Sequence, residues 1–197
     1  HTITTLTWNA TIANLTLIDA DQDKTLGFDT GPGNALMDEY CRVMTGCSCD
    51  AGGASAARGV VITELLDEWL KHPYFAEVPP KSTGRELFNL QQLAIPAHYS
   101  PDDALATLAE LTATSIADAI KRYAPELKEL YVCGGGLKNS HLVERIKAHT
   151  SGLNVQSTEA VGIHPDWMEA MAFAWLGWRT VNHLSGNLPA GTGAQGE

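Results

Sequence analysis

Basic residues are scarce in this sequence: 13 Lys and Arg stand against 23 Asp and Glu, for a formal net charge of -10. Neutralising nucleic-acid phosphates takes clustered Lys and Arg, so a general nucleic-acid binder is excluded. An anionic ligand would have to be held by local devices such as helix amino ends, loop amides, a metal ion or a few basic side chains. Cysteines are few as well, and Cys41, Cys47, Cys49 and Cys133 show neither paired zinc spacing nor the density of a secreted disulfide scaffold. They read as free thiols, and no metal-ligand set is read from the sequence. No apolar run approaches the ~20 residues of a membrane span, and the beginning does not resemble a signal peptide. The expectation is a soluble, cytoplasmic protein without membrane contact. The chain opens at His1 rather than Met, in a strand-like segment, which reads as part of a longer polypeptide.

What is present describes an ordinary globular protein, with 44% hydrophobic and 18% charged residues in 197. That length accommodates one sizeable core, or one large domain with an insertion. The segments Thr2–Trp8 and Ile12–Asp19 are rich in Thr, Ile and Leu with partial alternation, and Thr25–Asp29 follows a polar turn. These read as three strands of an antiparallel meander. A helix after Asn34 carries Leu36, Met37, Tyr40 and Met44 at three- and four-residue spacing and ends near Gly46.

From about residue 47 to 100 the pattern loosens, as in an insertion. It holds a helix over Val60–Lys71, a polar loop entered through Pro79-Pro80 and a second short helix from about Glu86. Ser100, Pro101 and Asp103 then form a strong helix start, and Leu105, Leu108, Thr112, Ile116, Ala119 and Ile120 keep helical spacing to Tyr123. Leu130–Cys133 reads as a buried parallel strand, followed by a helix bearing Leu142, Val143 and Ile146 that Asn139 or Ser140 can cap. Leu153–Ser157 is one more strand. The last helix starts at Pro165 and Asp166, and its Met, Phe and Trp residues predict that it is mostly buried. A meander followed by alternating helices and strands is the order of one α/β, actin- or hexokinase-like (ribonuclease H-like) domain. We place it at residues 1–184, ahead of an extended Gly- and Pro-rich tail at 185–197.

Three places are candidates for chemistry. In GFDTGPGN at Gly27–Asn34, Asp29 would sit at the carboxyl end of a strand, where open α/β sheets place their ligand crevice. Thr30–Gly33 would follow as a turn, with Gly31 and Gly33 letting the backbone approach a ligand and Asn34 as helix cap. The same residues also suit a well-built turn with a solvated aspartate. The run Gly134, Gly135, Gly136 lies between a buried strand and a capped helix, which suits either amides facing a nucleotide or tight packing. Glu169 is an acid in the first turns of an apolar helix: either a costly buried carboxylate with a partner or a favourable charge at a helix amino end.

Several of these stretches resemble the anhydro-N-acetylmuramic acid kinases, bacterial enzymes of cell-wall (peptidoglycan) recycling in the actin and hexokinase superfamily. The resemblance runs through GFDTGPGNALMD (27–38), PKSTGRELFNL (80–90), VCGGGLKN (132–139), GIHPDWMEAMAFAW (162–175) and GNLPAGTGA (186–194). It implies an enzyme, with ATP and Mg2+ as cofactors, that opens the 1,6-anhydro ring of anhydro-N-acetylmuramic acid with water and phosphorylates the 6-hydroxyl. It also implies Asp29 as general base, Glu169 and Asn14 as sugar contacts, and Gly31, Gly33, Gly134, Gly135, Gly136 and Asn139 on the nucleotide side. Expected partners are the sugar, ATP, the enzyme's amino-terminal half, which is absent from this chain, and a second copy in a homodimer. Without that half the chain is expected to be inactive alone. Where the family carries a glycine pair before Ile12, this chain has Ala10-Thr11, beside a further departure at Trp8-Asn9. That difference favours a second reading, a non-catalytic truncated relative acting as a binding or assembly domain. Another sugar or acetate-type kinase on the same fold is a third.

Overall fold

The computed structural model describes residues 3–8, 11–18 and 25–187. Five strands, β1 (Ile3–Trp8), β2 (Ile12–Ile18), β3 (Leu26–Pro32), β4 (Glu129–Cys133) and β5 (Asn154–Ser157), form one sheet ordered β3-β2-β1-β4-β5. The first three are antiparallel neighbours, whereas β1, β4 and β5 run parallel. The helices are α1 (Ala35–Thr45), α2 (Ala54–Arg58), α3 (Thr63–Leu70), α4 (Leu90–Leu93), α5 (Pro101–Tyr123), α6 (Ser140–His149) and α7 (Met168–Val181). Among the described residues no helix is long and apolar enough to cross a membrane. The Cys41 and Cys133 side chains are buried, those of Cys47 and Cys49 exposed.

The core is built around α5, which packs against α1, α2, α3, α6 and β3. Its start follows the sequence rule: Ser100 Oγ accepts the N–H of Asp103, Pro101 occupies the first turn and Asp102 and Asp103 lie at the positive end of the helix dipole. Leu105, Leu108, Leu111 and Ile116 are almost wholly removed from water. One acid lies among them. Glu110 accepts both guanidinium contacts of Arg145, at 2.7 and 2.9 Å, and meets His149 Nε2 at 2.6 Å, joining α5 to α6. Burial alone would raise the Glu110 pKa, but the hydrogen bonds and charges of Arg145 and His149 outweigh it and hold the carboxyl below its usual range.

The sheet is two-sided in chemistry. Ala13, Leu15, Leu17 and Phe28 are buried in the core, and alternation leaves Asn14, Thr16 and Asp29 half-buried on the opposite face.

Several boundaries differ from the sequence reading. The strand expected to end at Asp29 continues to Pro32, because Ala13 and Ile12 of β2 still pair with Gly31 and Pro32. The register slips between Ala13 and Asn14, so Thr30 is the extra residue of a β-bulge, and its Oγ1 donates to the Ala13 carbonyl at 3.1 Å. Asn34 does not cap α1: its backbone is already helical and its Oδ1 is buried without a partner. The helix expected over 60–71 shortens to Thr63–Leu70, and the one expected from Glu86 starts at Leu90, where Asn89 accepts the N–H groups of Gln91 and Gln92.

The largest difference is α7. It follows a 3-10 turn at Pro165–Trp167, and not one of its 14 residues is buried. Phe173 is 72% exposed and Trp178 57%. Composition is right for a buried helix, but nothing among the described residues covers it. Of the expected tail, residues 188–197 lie outside the described residues, as do Asn9 and Ala10.

Candidate active site

Asp29 is the most heavily constrained side chain on the half-exposed face of the sheet. Its Oδ1 accepts a hydrogen bond from Asn14 Nδ2 at 2.9 Å, and Thr16 Oγ1 in turn donates to Asn14 Oδ1 at 3.3 Å. Its Oδ2 accepts two more, from Ser82 Oγ at 3.0 Å and the Thr83 N–H at 2.9 Å. The backbone is held as well: the Asp29 N–H donates to the Lys81 carbonyl at 3.0 Å, and Tyr74 Oη donates to the Asp29 carbonyl at 2.8 Å. Burial, then the charges of Asp29 and Glu77, push the Tyr74 phenol above its ordinary range, so it remains a donor. A carboxylate offers about four acceptor positions. Three are filled by the protein, which leaves one, on Oδ1, for a water or a ligand hydroxyl.

The 81–83 loop is what sequence reasoning missed. Pro79-Pro80 and the polar residues after it read as a connection, yet the loop folds back over more than fifty residues of chain to hold Asp29. Sequence separation hides such contacts, and the local signal, Ser82-Thr83 beside a glycine, suits any turn. Asn14, expected as a sugar contact, lies beside Asp29 and gives it one amide hydrogen.

The glycines divide by what surrounds them. Gly31 is buried with φ +150°, and a Cβ there would meet Phe75 Cε1 at 2.8 Å and Ser115 Oγ at 3.3 Å, so its small size serves packing against α5. The Gly33 N–H is already given to the Thr11 carbonyl. Gly134 has φ +87° and donates to the Pro165 carbonyl, and Gly136 is buried. Gly135 alone of that run is exposed, and a Cβ on it would meet nothing within 4 Å. Asn139 is spent as the cap of α6, its Oδ1 accepting the Leu142 N–H at 3.1 Å. Glu169 is exposed in the first turn of α7, which fits the reading of a charge at a helix amino end and not that of a buried carboxylate with a partner.

A family model for anhydro-N-acetylmuramic acid kinase matches residues 4–197. This chain belongs to the anhydro-N-acetylmuramic acid kinase family. A member from Coxiella burnetii (strain Dugway 5J108-111) is 47% identical over 188 residues, covering 93% of this chain and 50% of its own. One from Hahella chejuensis is 48% identical over 190 residues, covering 94% of this chain and 51% of its own. The chain thus spans about half the length of the curated kinases it matches.

Among solved structures, the activator of 2-hydroxyisocaproyl-CoA dehydratase from Clostridium difficile, with bound ADPNP, aligns at a TM-score of 0.53 and 12% identity, over 95% of this chain and 65% of that one. Component A of (R)-2-hydroxyglutaryl-CoA dehydratase from Acidaminococcus fermentans aligns at 0.50 and 12% identity, over 78% of this chain and 54% of that one. At such identity the likeness concerns the fold alone, a mixed α/β arrangement of sheet and helices.

Proposed function

We propose that this chain supplies the carboxy-terminal, sugar- and nucleotide-contacting half of an ATP-dependent kinase that opens the 1,6-anhydro ring of anhydro-N-acetylmuramic acid with water and phosphorylates the freed 6-hydroxyl. The observation that carries the reading is the Asp29 carboxylate, gripped by Asn14, Ser82 and the Thr83 amide with one acceptor position left over. A general base must hold its water at hydrogen-bond distance in a fixed direction. Three donors and two backbone contacts fix that direction before substrate arrives, which is the positioning that phosphoryl-transfer enzymes chiefly supply.

On the nucleotide side, Gly135 fits best: it is exposed, and the space a Cβ would take is open to a ligand. Gly31, Gly33 and Asn139 act there through packing and capping. The described residues hold no group of three or more His, Cys, Asp or Glu poised for a metal ion. Mg2+ bound to nucleotide neutralises phosphate charge and takes most of its ligands from phosphate oxygens and water, so one or two side chains suffice.

The uncovered α7 supports a second element of the reading. A helix this rich in exposed Met, Phe and Trp calls for a covering surface, and the occupant we assign is an amino-terminal half, for which the greater length of the family members leaves room. Glu169 then lies at the junction, where sugar could reach it from a crevice between the halves.

The test is Asp29→Asn in a protein carrying both halves. Formation of ADP and 6-phosphorylated sugar is expected to fall by ~10²- to 10⁴-fold while the protein stays folded, with a modestly lower melting temperature because an NH2 group replaces one of the two accepting oxygens. Retained turnover would overturn the assignment of Asp29.

A further inference from the structure

A cavity of about 380 Å³ lies behind β3, on the face opposite Asp29. Phe28 and Thr30 line it from the strand, and the last turns of α5 close its far wall. In a chain of net charge -10 with only 13 Lys and Arg, three of them, Lys71, Lys81 and Arg122, line this one space.

Lys71 is paired with Glu68 at 2.9 Å. Lys81 and Arg122 have no carboxylate within ion-pair distance among the described residues. Lys81 Nζ donates to the Tyr74 carbonyl at 2.8 Å and sits 4.3 Å from the centre of that ring. Arg122 has a long contact of 3.4 Å to the Phe75 carbonyl. Burial pulls the Lys81 ammonium below the ordinary lysine range; the charge of Glu77 opposes this, and the smaller effect of Arg122 adds to it. The one acid in the wall, Asp118, is matched by Lys121 at 3.5 Å. Glu77 balances part of the Lys81 charge without pairing with it, and a dianion bound between Lys81 and Arg122 adds charge-assisted hydrogen bonds that the protein itself does not supply. The rings of Phe75 and Tyr123 add flat apolar faces beside them.

We propose that this cavity binds a phosphate dianion, free or carried on a sugar, with Lys81 and Arg122 as its charge partners. The site is wired to Asp29. The Lys81 carbonyl accepts the Asp29 N–H, and its Nζ holds Tyr74, whose hydroxyl donates to the Asp29 carbonyl. An occupant that draws Nζ from the Tyr74 carbonyl therefore acts on both backbone contacts of Asp29. Binding in the cavity does not require the kinase reading; a regulatory consequence at Asp29 rests on it.

The experiment is an amide NMR titration of the protein with inorganic phosphate and with glucose 6-phosphate, at constant ionic strength, with glucose as neutral control. Saturable shifts are expected at Phe75, Ser115 and Ala119 with both phosphates and not with glucose. Arg122→Gln should weaken binding about tenfold, as for loss of one charged hydrogen bond, and Arg122→Lys by less. Arg122 is exposed, so the variants are expected to fold, which a thermal melt checks. Tighter binding of glucose 6-phosphate would identify a sugar phosphate as the ligand, and equal binding the free ion. Absence of saturable shifts at these amides, or an affinity unmoved by Arg122→Gln, would overturn the proposal whatever becomes of turnover.

Discussion

Helices α5 and α7 are both rich in apolar residues, and they end in opposite environments. In α5, 14 residues are buried, whereas α7 buries none. The difference does not lie in hydrophobicity. α5 is surrounded by β3 and four other helices of the same chain, whereas α7 packs mainly on the 3-10 turn before it. Burial is a property of a helix and its surroundings together, and no element among the described residues buries α7.

The contrast is broken most forcefully from the α5 side. Leu111 is fully buried, and Leu111→Ala is expected to lower unfolding stability by about 2–5 kcal/mol, read by urea denaturation. A loss under about 1 kcal/mol would mean that α5 is not the centre of the core.

Next in size is the acid inside α5. Glu110→Ala removes the partner of Arg145 and His149 and should cost about 1–3 kcal/mol, less than a fully buried pair because the Arg145 side chain is 37% exposed. The same network sets a pH dependence. The folded Glu110 carboxyl lies below its usual range, so its contribution is complete above the unfolded value of about 4.3 and is lost as pH falls through the folded value. Urea midpoints measured from pH 6 down to pH 3 should show wild type losing more stability than Glu110→Gln. Parallel curves would remove Glu110 from the account.

The smallest effect is expected in α7, and it sharpens the comparison. Phe173→Ser in this chain should change stability by less than about 0.5 kcal/mol, as at other exposed sites. In a protein that carries the amino-terminal half, the same change should cost about 2 kcal/mol or more through lost burial. Equal small effects in both would mean that the amino-terminal half does not cover α7.

Much of the fold was legible locally. Ser100-Pro101 with the following acids announces a helix start, the spacing of Leu105, Leu108, Thr112 and Ile116 gives its buried side, and the short apolar run to Cys133 gives β4. These signals act within one or two turns of chain. The bulge at Thr30 was not legible, because register depends on what β2 offers as partner. Asn34 shows the same limit: its residue type suits a cap, yet its backbone is already helical.

At the site, the sequence marked Asp29 and its motif, because a short strand running into glycines has few uses, and the family motifs extended that reading to Asn14, the glycines and Glu169. It could not show that Ser82 and Thr83 hold the carboxylate, that Asn14 donates to it, or that Gly31 is small to admit Phe75. Nor could it gather Lys81 and Arg122, forty-one residues apart, into one cavity behind the strand. Propensity, capping and periodicity are written in neighbouring residues and survive without a tertiary structure. Hydrogen-bond partners, cavity walls and the covering of an apolar helix depend on which distant surfaces meet, and only the folded chain decides that.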